Sequence, residues 1–204
     1  MLIKTIEVGY LQTNCYIVTD EDTLDAAIID PGEESNLILD YVERNHLHVR
    51  GILLTHGHAD HCMALEDVYE ELRCPVYMSR RDLGVDLGNP GEWEVEPPDD
   101  TRFVREKEEI CCGSLTFTVL ETPGHTPGGL CFIIEDCIFT GDTLFRLTCG
   151  RYDFPGSSSL ELTHSLTKLR DLPGDYEIYP GHESSSTLGF ERKFNRCLVA
   201  PWDL

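Results

Sequence analysis

The feature that most constrains this chain is a short segment rich in side chains that bind metal. It begins where a continuous apolar run at residues 51–55 ends, and such a run is typical of a buried central strand. The next six residues include three imidazoles and one carboxylate, at His56, His58, Asp60 and His61. These groups suit a borderline cation such as zinc, and a loop leaving a rigid strand can direct alternate side chains at one point. The segment therefore predicts a metal site at the end of a central strand.

Three more candidate ligands follow later in the chain, and each comes directly after a glycine. The pairs are Gly124-His125, Gly141-Asp142 and Gly181-His182. Glycine allows a sharp backbone turn and lets a ligand-bearing loop approach its neighbours closely. We therefore expect one shared site that draws its ligands from four places in the chain.

The arrangement of apolar residues around these junctions predicts alternating strands and helices, which is typical of an α/β fold. Strands are predicted at residues 2–8, 15–19, 26–30, 51–55, 75–78, 115–121, 130–134, 137–140 and 176–179. Helices are predicted at residues 33–45, 63–73, 157–169 and 187–197. Residues 84–100 have no periodicity and predict a long surface loop, with a solvated acidic stretch at residues 92–100. No linker interrupts the pattern, so residues 1–204 are expected to form a single domain.

Composition limits the partners and the location. With 16 basic and 37 acidic residues the formal charge is −21, which would repel nucleic acid and anionic membranes. A small-molecule substrate is the expected partner, and a homodimer is left open. The nine cysteines form no C-x-x-C pair, which favours reduced thiols, and no signal peptide or membrane-length segment is seen. A cytoplasmic location is therefore expected.

The H-x-H-x-D-H segment and the later His, Asp and His resemble the metallo-β-lactamase superfamily over nearly the whole chain. This resemblance implies an α/β fold, a four-layer αβ/βα sandwich of two mixed β-sheets flanked by helices, with the site at one edge. It implies two divalent cofactor ions, with zinc preferred and iron or manganese as alternatives. The implied ligands are His56, His58 and His125 for the first ion, and Asp60, His61 and His182 for the second, with Asp142 bridging both.

Within the superfamily, residues 11–16 and 141–151 resemble glyoxalase II, and residues 187–195 resemble the short glyoxalase II-like proteins of bacteria. The resemblance implies a hydrolase that cleaves a small acyl-thiol, such as an S-acylglutathione, with a hydroxide shared by two metal ions. Asp60 is predicted to be catalytic as well as a ligand, because a carboxylate beside that hydroxide can orient it. Arg151 and Tyr152 are the predicted substrate contacts. Arg151 aligns with a basic residue that helps hold a glutathione carboxylate, although an ordinary surface ion pair is an equal alternative.

Other activities of the same fold are alternatives. Persulfide dioxygenases share the fold and the histidine motif but use a single iron, and lactonases are a further alternative. Only 22 residues follow His182, whereas longer glyoxalase II enzymes add a helical domain with basic residues for glutathione. Glutathione recognition is therefore left open. Cys149 and the pair Cys111-Cys112 are expected to be small buried hydrophobic residues.

Overall fold

The computed structural model describes residues 1–201, with the exception of the Glu92 side chain. Its framework is a pair of six-stranded sheets. The first sheet has the order β1-β2-β3-β4-β5-β6 and consists of β1 (Leu2–Val8), β2 (Thr13–Thr19), β3 (Asp25–Ile29), β4 (His48–Leu53), β5 (Val76–Met78) and β6 (Arg102–Phe103). The second has the order β14-β13-β10-β9-β8-β7 and consists of β7 (Glu109–Cys112), β8 (Leu115–Glu121), β9 (Leu130–Ile134), β10 (Cys137–Gly141), β13 (Glu177–Pro180) and β14 (Ser186–Thr187).

Both sheets are mixed, and helices cover their outer faces. Strands β1 to β3 are antiparallel and β3 to β6 are parallel, whereas β7 to β10 form an antiparallel meander and β13 runs parallel to β10. A separate hairpin pairs β11 (Leu144–Phe145) with β12 (Thr148–Cys149). The helices are α1 (Ser35–Arg44), α2 (Ala59–Cys62), α3 (Leu65–Leu72), α4 (Ser159–Arg170), α5 (Leu188–Phe194) and α6 (Arg196–Val199).

Alternation of side chains along the central strands produces the layers. In β2, Cys15 and Ile17 belong to a cluster with Ile38 of α1, while Tyr16 and Val18 belong to a cluster with the second sheet. Successive side chains of a strand point to opposite faces, so a strand covered on both sides is apolar throughout. A third apolar cluster lies between the second sheet and helices α4 to α6. The predicted four-layer sandwich of two mixed sheets flanked by helices is confirmed.

The topology brings the ligand-bearing loops together. Strand β4 ends just before His56, β8 before His125, β10 before Asp142 and β13 before His182. Strands β8, β10 and β13 run in the same direction, so their carboxyl ends lie at one edge of the second sheet. The β4 end faces that edge across the sandwich, since Leu130 N donates to Thr55 O over 2.8 Å.

Several short elements differ from the sequence prediction. The predicted helix at residues 187–197 is two helices, because Asn195 leaves helical geometry and its side chain caps Cys197 N. Strand β7 leaves Cys111 exposed and buries its neighbours Ile110 and Cys112, so the expectation that both cysteines are buried is wrong for Cys111. In the solvated stretch expected at residues 92–100, Val95 is buried against α3 and its neighbours. Among residues 1–201, no helix is long and apolar enough to cross a membrane.

Candidate metal centre

The loop after β4 is held by a buried carboxylate at the end of β3. Asp30 accepts hydrogen bonds from the Thr55 backbone N (2.7 Å) and the Thr55 Oγ1 (2.6 Å), and from His61 Nδ1 (2.9 Å). Because the single hydroxyl hydrogen of Thr55 goes to Asp30, His56 Nδ1 must donate to Thr55 Oγ1, at 3.0 Å. In the neutral imidazoles of His56 and His61, Nε2 is therefore the nitrogen without a proton and is available as a ligand.

The other three histidines follow the same rule: one ring nitrogen is anchored to a backbone carbonyl and the second faces the centre. A carbonyl can only accept, so the anchored nitrogen carries the proton. This arrangement fixes both the tautomer and the ring orientation, as expected of metal-ligating histidines. The anchors are His58 Nε2 to Leu87 O (3.0 Å), His125 Nδ1 to Arg151 O (2.7 Å) and His182 Nδ1 to Leu11 O (3.2 Å).

The free ring nitrogens and two carboxylates converge. His182 Nε2 lies 3.3 Å from Asp60 Oδ2, and His61 Nε2 lies 3.5 Å from the same oxygen. Asp142 reaches both sides of the site: Oδ1 lies 3.4 Å from His61 Nε2 and Oδ2 lies 3.4 Å from His125 Nε2. The structure thus brings all seven predicted ligands together. Groups with ligand atoms within 4.8 Å of one another include His56, His58 and His125, and separately Asp60, His61 and His182.

Two observations show that these donors fit cations. His58 Nδ1 and His125 Nε2 are 2.9 Å apart, and both carry lone pairs because their other ring nitrogens hold the protons. Two lone pairs at this distance repel each other unless a cation or a proton is shared between them. In addition, some buried polar atoms within residues 1–201 have no hydrogen-bond partner, which is rare unless an ion supplies one. In the centre these are His56 Nε2, His61 Nε2 and Asp142 Oδ1.

The two sides of the centre differ in electrostatics. Burial lowers the pKa of His58 to about 4 and holds that of His56 well below its ordinary value, so both are neutral at pH 7. Burial alone would also lower the pKa of His61, but the charges of Asp142 and Asp30 outweigh it and hold this pKa well above its ordinary value. A divalent cation would take over the role of that proton, because imidazole binds metal only when neutral.

Asp82 is a residue that the sequence analysis missed. Its buried carboxylate accepts hydrogen bonds from Gly57 N (2.9 Å), Thr126 Oγ1 (2.9 Å) and Gly128 N (2.5 Å). It therefore joins the loop of His56 and His58 to the loop of His125. Nothing in the local sequence marks this isolated aspartate, whereas Asp30 could have been found from its place directly after a buried strand.

The long loop also supports the centre. Besides the Leu87 carbonyl that anchors His58, the Asn89 side chain accepts from Ala59 N (2.9 Å) and donates to Gly57 O (3.2 Å). Gly88 lies against Pro155 and Phe154, so the loop also contacts the segment after Arg151. Residues 87–89 of this loop thus contribute contacts to the metal centre.

A cavity of about 860 Å³ opens onto the centre. Arg151 lines it and stacks on Phe154, 4.1 Å from the ring centroid, but its guanidinium also forms a bidentate pair with Asp153 at 2.9 and 3.0 Å. Tyr152 is 39% exposed and is not among the lining residues, so its role stays a prediction. Cys149 is half-buried and lines the cavity, in contrast to the expected buried position.

Two packed mixed sheets, with histidines and aspartates converging at their common edge, define the class of metallo-hydrolases built on this sandwich. A family model described as the metallo-beta-lactamase superfamily matches residues 8–182, and the chain belongs to that superfamily. The seven converging side chains all lie within the matched range, so the family match and the site geometry concern the same part of the chain.

Similar proteins include a curated relative of almost the same length. Hydroxyacylglutathione hydrolase GloC of Haemophilus influenzae is 34% identical over 208 residues, covering 96% of this chain and 97% of GloC. The crystal structure of TTHA1623 in a di-iron-bound form is 36% identical with a TM-score of 0.83, covering 95% of this chain and 98% of that one. The crystal structure of ETHE1 from Myxococcus xanthus is 29% identical with a TM-score of 0.83, covering 98% and 85% of the two chains.

Proposed function

We propose that this protein is a dinuclear metal-dependent thioesterase acting on small acyl-thiols. The observation that carries the proposal is the pair of three-residue donor groups with Asp142 reaching both. One group contains His56, His58 and His125, and the other contains Asp60, His61 and His182. Because neither group lacks a donor, the chain has the side chains needed for two ions.

Two divalent ions in these positions would supply Lewis acidity for the substrate carbonyl and a water molecule whose pKa is lowered toward 7. The chain's own residues would orient the reacting groups. Asp60 is held by the Thr13 hydroxyl, which donates to Asp60 Oδ2 over 2.8 Å. This fixes one carboxylate edge toward the centre, where Asp60 would bind metal and orient the attacking water.

The residues that line the cavity favour a substrate with a good leaving group. A thiolate leaves with less protonation than an amine, and apart from the donor groups of the centre the possible general acids in the lining are the Cys149 thiol and two exposed glutamates, Glu7 and Glu183. Leu11, Phe145 and Phe154 provide apolar surface for an acyl or thiol chain. Arg151 is the proposed contact for a carboxylate, for which it would exchange its pairing with Asp153.

The relatives support this choice. GloC is named as a hydroxyacylglutathione hydrolase, and the match covers 97% of its length. The di-iron form of TTHA1623 provides a two-metal precedent in a similar fold. Zinc is the proposed metal from the nitrogen-rich donor set, with iron as the alternative that this neighbour favours.

A single-iron dioxygenase is the second candidate, because the donor group of His56, His58 and His125 could hold one ion by itself. The two candidates differ at the second donor group. A mononuclear enzyme would not need Asp60, His61 and His182 to converge on a further ion, yet the structure brings them within 4.8 Å of one another. The arrangement therefore supports the dinuclear hydrolase.

The deciding experiment measures metal content and turnover on the same preparation. Protein purified without chelator is analysed by mass spectrometry and assayed with S-D-lactoylglutathione, neutral thioesters, lactones and glutathione persulfide with oxygen. We expect two metal ions per chain and thioester hydrolysis. His182→Asn should remove about one ion and lower kcat by 10²-fold or more, because it deletes one donor of the second group. His46→Asn, an exposed histidine remote from the site, is the matched control and should change neither quantity.

Other outcomes would overturn the proposal in distinct ways. One iron per chain with oxygen uptake on persulfide would replace the hydrolase with the dioxygenase. Two ions with lactone but no thioester turnover would keep a dinuclear hydrolase and remove the thioesterase.

A further inference from the structure

The segment between Asp142 and Arg151 is held from outside the metal centre. It contains the β11–β12 hairpin, whose Phe145, Thr148 and Cys149 line the cavity. At the far end of the segment, the Arg151 carbonyl accepts the hydrogen bond that orients His125. The hairpin therefore lies between Asp142 and the carbonyl that orients His125, and it forms one wall of the substrate cavity.

The hairpin has only two residue pairs in its ladder, Leu144 with Cys149 and Phe145 with Thr148. Leu147 at its tip has a positive φ of 64°, a conformation that disfavours a leucine. So short a hairpin is not stable by itself and needs outside support.

That support comes from two fully buried polar side chains, Glu191 of α5 and Asn195 between α5 and α6. Glu191 Oε2 accepts from the Leu147 backbone N (2.8 Å) and from Asn195 Nδ2 (2.8 Å). Asn195 Nδ2 also donates to the carbonyls of Phe145 (3.1 Å) and Thr148 (2.9 Å), so one of its two hydrogens is shared between two acceptors. Three backbone groups of the hairpin are thus bound by one carboxylate and one amide.

The second oxygen of Glu191 accepts from the Ser186 hydroxyl, and Asn195 Oδ1 accepts from Cys197 N over 2.9 Å. Every polar atom of the pair therefore has a partner within the chain. Burying a carboxylate is costly unless it is fully hydrogen-bonded, and an apolar pair would fill the same space at lower cost. The polar pair is explained by its bonds to the hairpin backbone.

We propose that Glu191 and Asn195 are positioning residues for the active site. They fix the hairpin that forms one wall of the substrate cavity and, through the Arg151 carbonyl, the ring of His125. The kinetic part of this inference rests on the proposed thioesterase function, whereas the effects on metal binding and hairpin order do not.

Three substitutions separate positioning from general stability. In Glu191→Gln the amide oxygen can accept from Leu147 N and Asn195 Nδ2, and the amide nitrogen can donate to the Ser186 hydroxyl, so near-native behaviour is expected. Glu191→Ala removes all three bonds. Asn195→Asp keeps the oxygen that caps Cys197 but cannot donate to the two carbonyls and places a like charge beside Glu191.

Thr187→Ala is the matched control. The Thr187 hydroxyl caps α5 by accepting from Phe190 N over 3.1 Å and is not bonded to the hairpin. Its loss should lower the melting temperature while leaving the hairpin bonds intact.

The readouts are KM and kcat for a thioester, zinc affinity by chelator competition, and amide hydrogen exchange at residues 144–149 in metal-free protein. For Glu191→Ala and Asn195→Asp we expect KM to rise about tenfold or more, zinc affinity to fall about 10- to 100-fold, and hairpin exchange to accelerate. Glu191→Gln should stay within about threefold of wild type in KM and zinc affinity, since it can make the same bonds.

Glu191→Ala and Asn195→Asp could lower only the melting temperature, with KM, zinc affinity and hairpin exchange equal to those of Thr187→Ala. In that case the positioning role is wrong. If wild type hydrolyses no thioester, the proposed function fails, while zinc affinity and exchange still decide this inference. If Glu191→Gln behaved like Glu191→Ala in KM and zinc affinity, the positioning role would also be overturned.

Discussion

At the residue scale, the histidines of the centre have their roles set by the bond at the opposite ring nitrogen. His56 and His61 depend on Asp30, directly or through the Thr55 hydroxyl, while His58 and His125 depend on backbone carbonyls. Because the anchored nitrogen holds the proton, the other nitrogen is a ready ligand. The imidazoles are therefore arranged for metal before any ion binds.

The metal-free protein should lose stability on acidification, in part through His58. Its pKa is lowered by burial to about 4 in the folded chain, against an ordinary value of 6.5 in the unfolded chain. The stabilising contribution is therefore present above pH 6.5 and is lost as the pH falls toward 4, by up to about 3 kcal/mol. Urea unfolding of chelator-treated protein between pH 7 and pH 4.5 measures it. His58→Gln should flatten this part of the curve, and an unchanged pH slope in that variant would contradict the assignment.

At the element scale, the loop of His125 is fitted against the start of α4. Gly124 has a φ of 138°, and a Cβ there would lie 2.3 Å from the Leu162 backbone N. The loop is also tied by Ser158 N, which donates to the Gly124 carbonyl over 2.8 Å, and by Ser157 Oγ, which donates to the His125 carbonyl over 2.8 Å. Helix α4 thus determines where His125 can lie.

Gly124→Ala should therefore lower both the metal content and the stability of the protein. The methyl group meets backbone that cannot rotate away, so the loop must move and carry His125 with it. Gly84→Ala is the matched control, since Gly84 also has a positive φ (65°) but has no atoms near the added Cβ. That control should cost about 1–2 kcal/mol from backbone strain alone, with metal content unchanged. Thermal melts and metal analysis of both variants test this, and equal metal content in the two would show that the contact with α4 does not position His125.

The elements also show what the sequence can and cannot reveal. Strands such as β1, β8 and β9 were predicted with their observed bounds because five to seven alternating or apolar residues carry a clear period. The two-residue strands β6, β11, β12 and β14 are too short to show any period and form only because a neighbour pairs with them. The convergence of the seven proposed ligands could be predicted from their clustering and adjacent glycines. Asp82 could not, because its partners are Gly57, Thr126 and Gly128, far from it in the chain.

At the scale of the whole molecule, the site joins two halves of the sandwich. Four donors come from the loop after β4 in the first half, and three come from loops of the second sheet. An ion that binds only the folded chain stabilises it by about 2.7 kcal/mol at a concentration 100-fold above its dissociation constant. Metal binding should therefore act on the cooperative unfolding of the entire chain.

Removal of metal should lower the melting temperature by at least about 5 °C, given roughly 2–4 °C per kcal/mol for a chain of this length. Differential scanning calorimetry with and without a chelator, followed by readdition of zinc, measures the effect. His182→Asn should show a smaller shift than wild type because it holds fewer ions. A melting temperature that does not respond to chelator would show that the donors do not hold metal in the folded chain.

The division of donors between the two halves also matters during synthesis on the ribosome. When the first sheet has emerged, the nascent chain carries only the donors at residues 56–61, and His182 is the last to appear. Until the second sheet is synthesised, these imidazoles have no opposing partners. Metal loading of the complete centre must therefore follow translation of nearly the whole matched region. A chain truncated before residue 182 would lack the last donor of the centre.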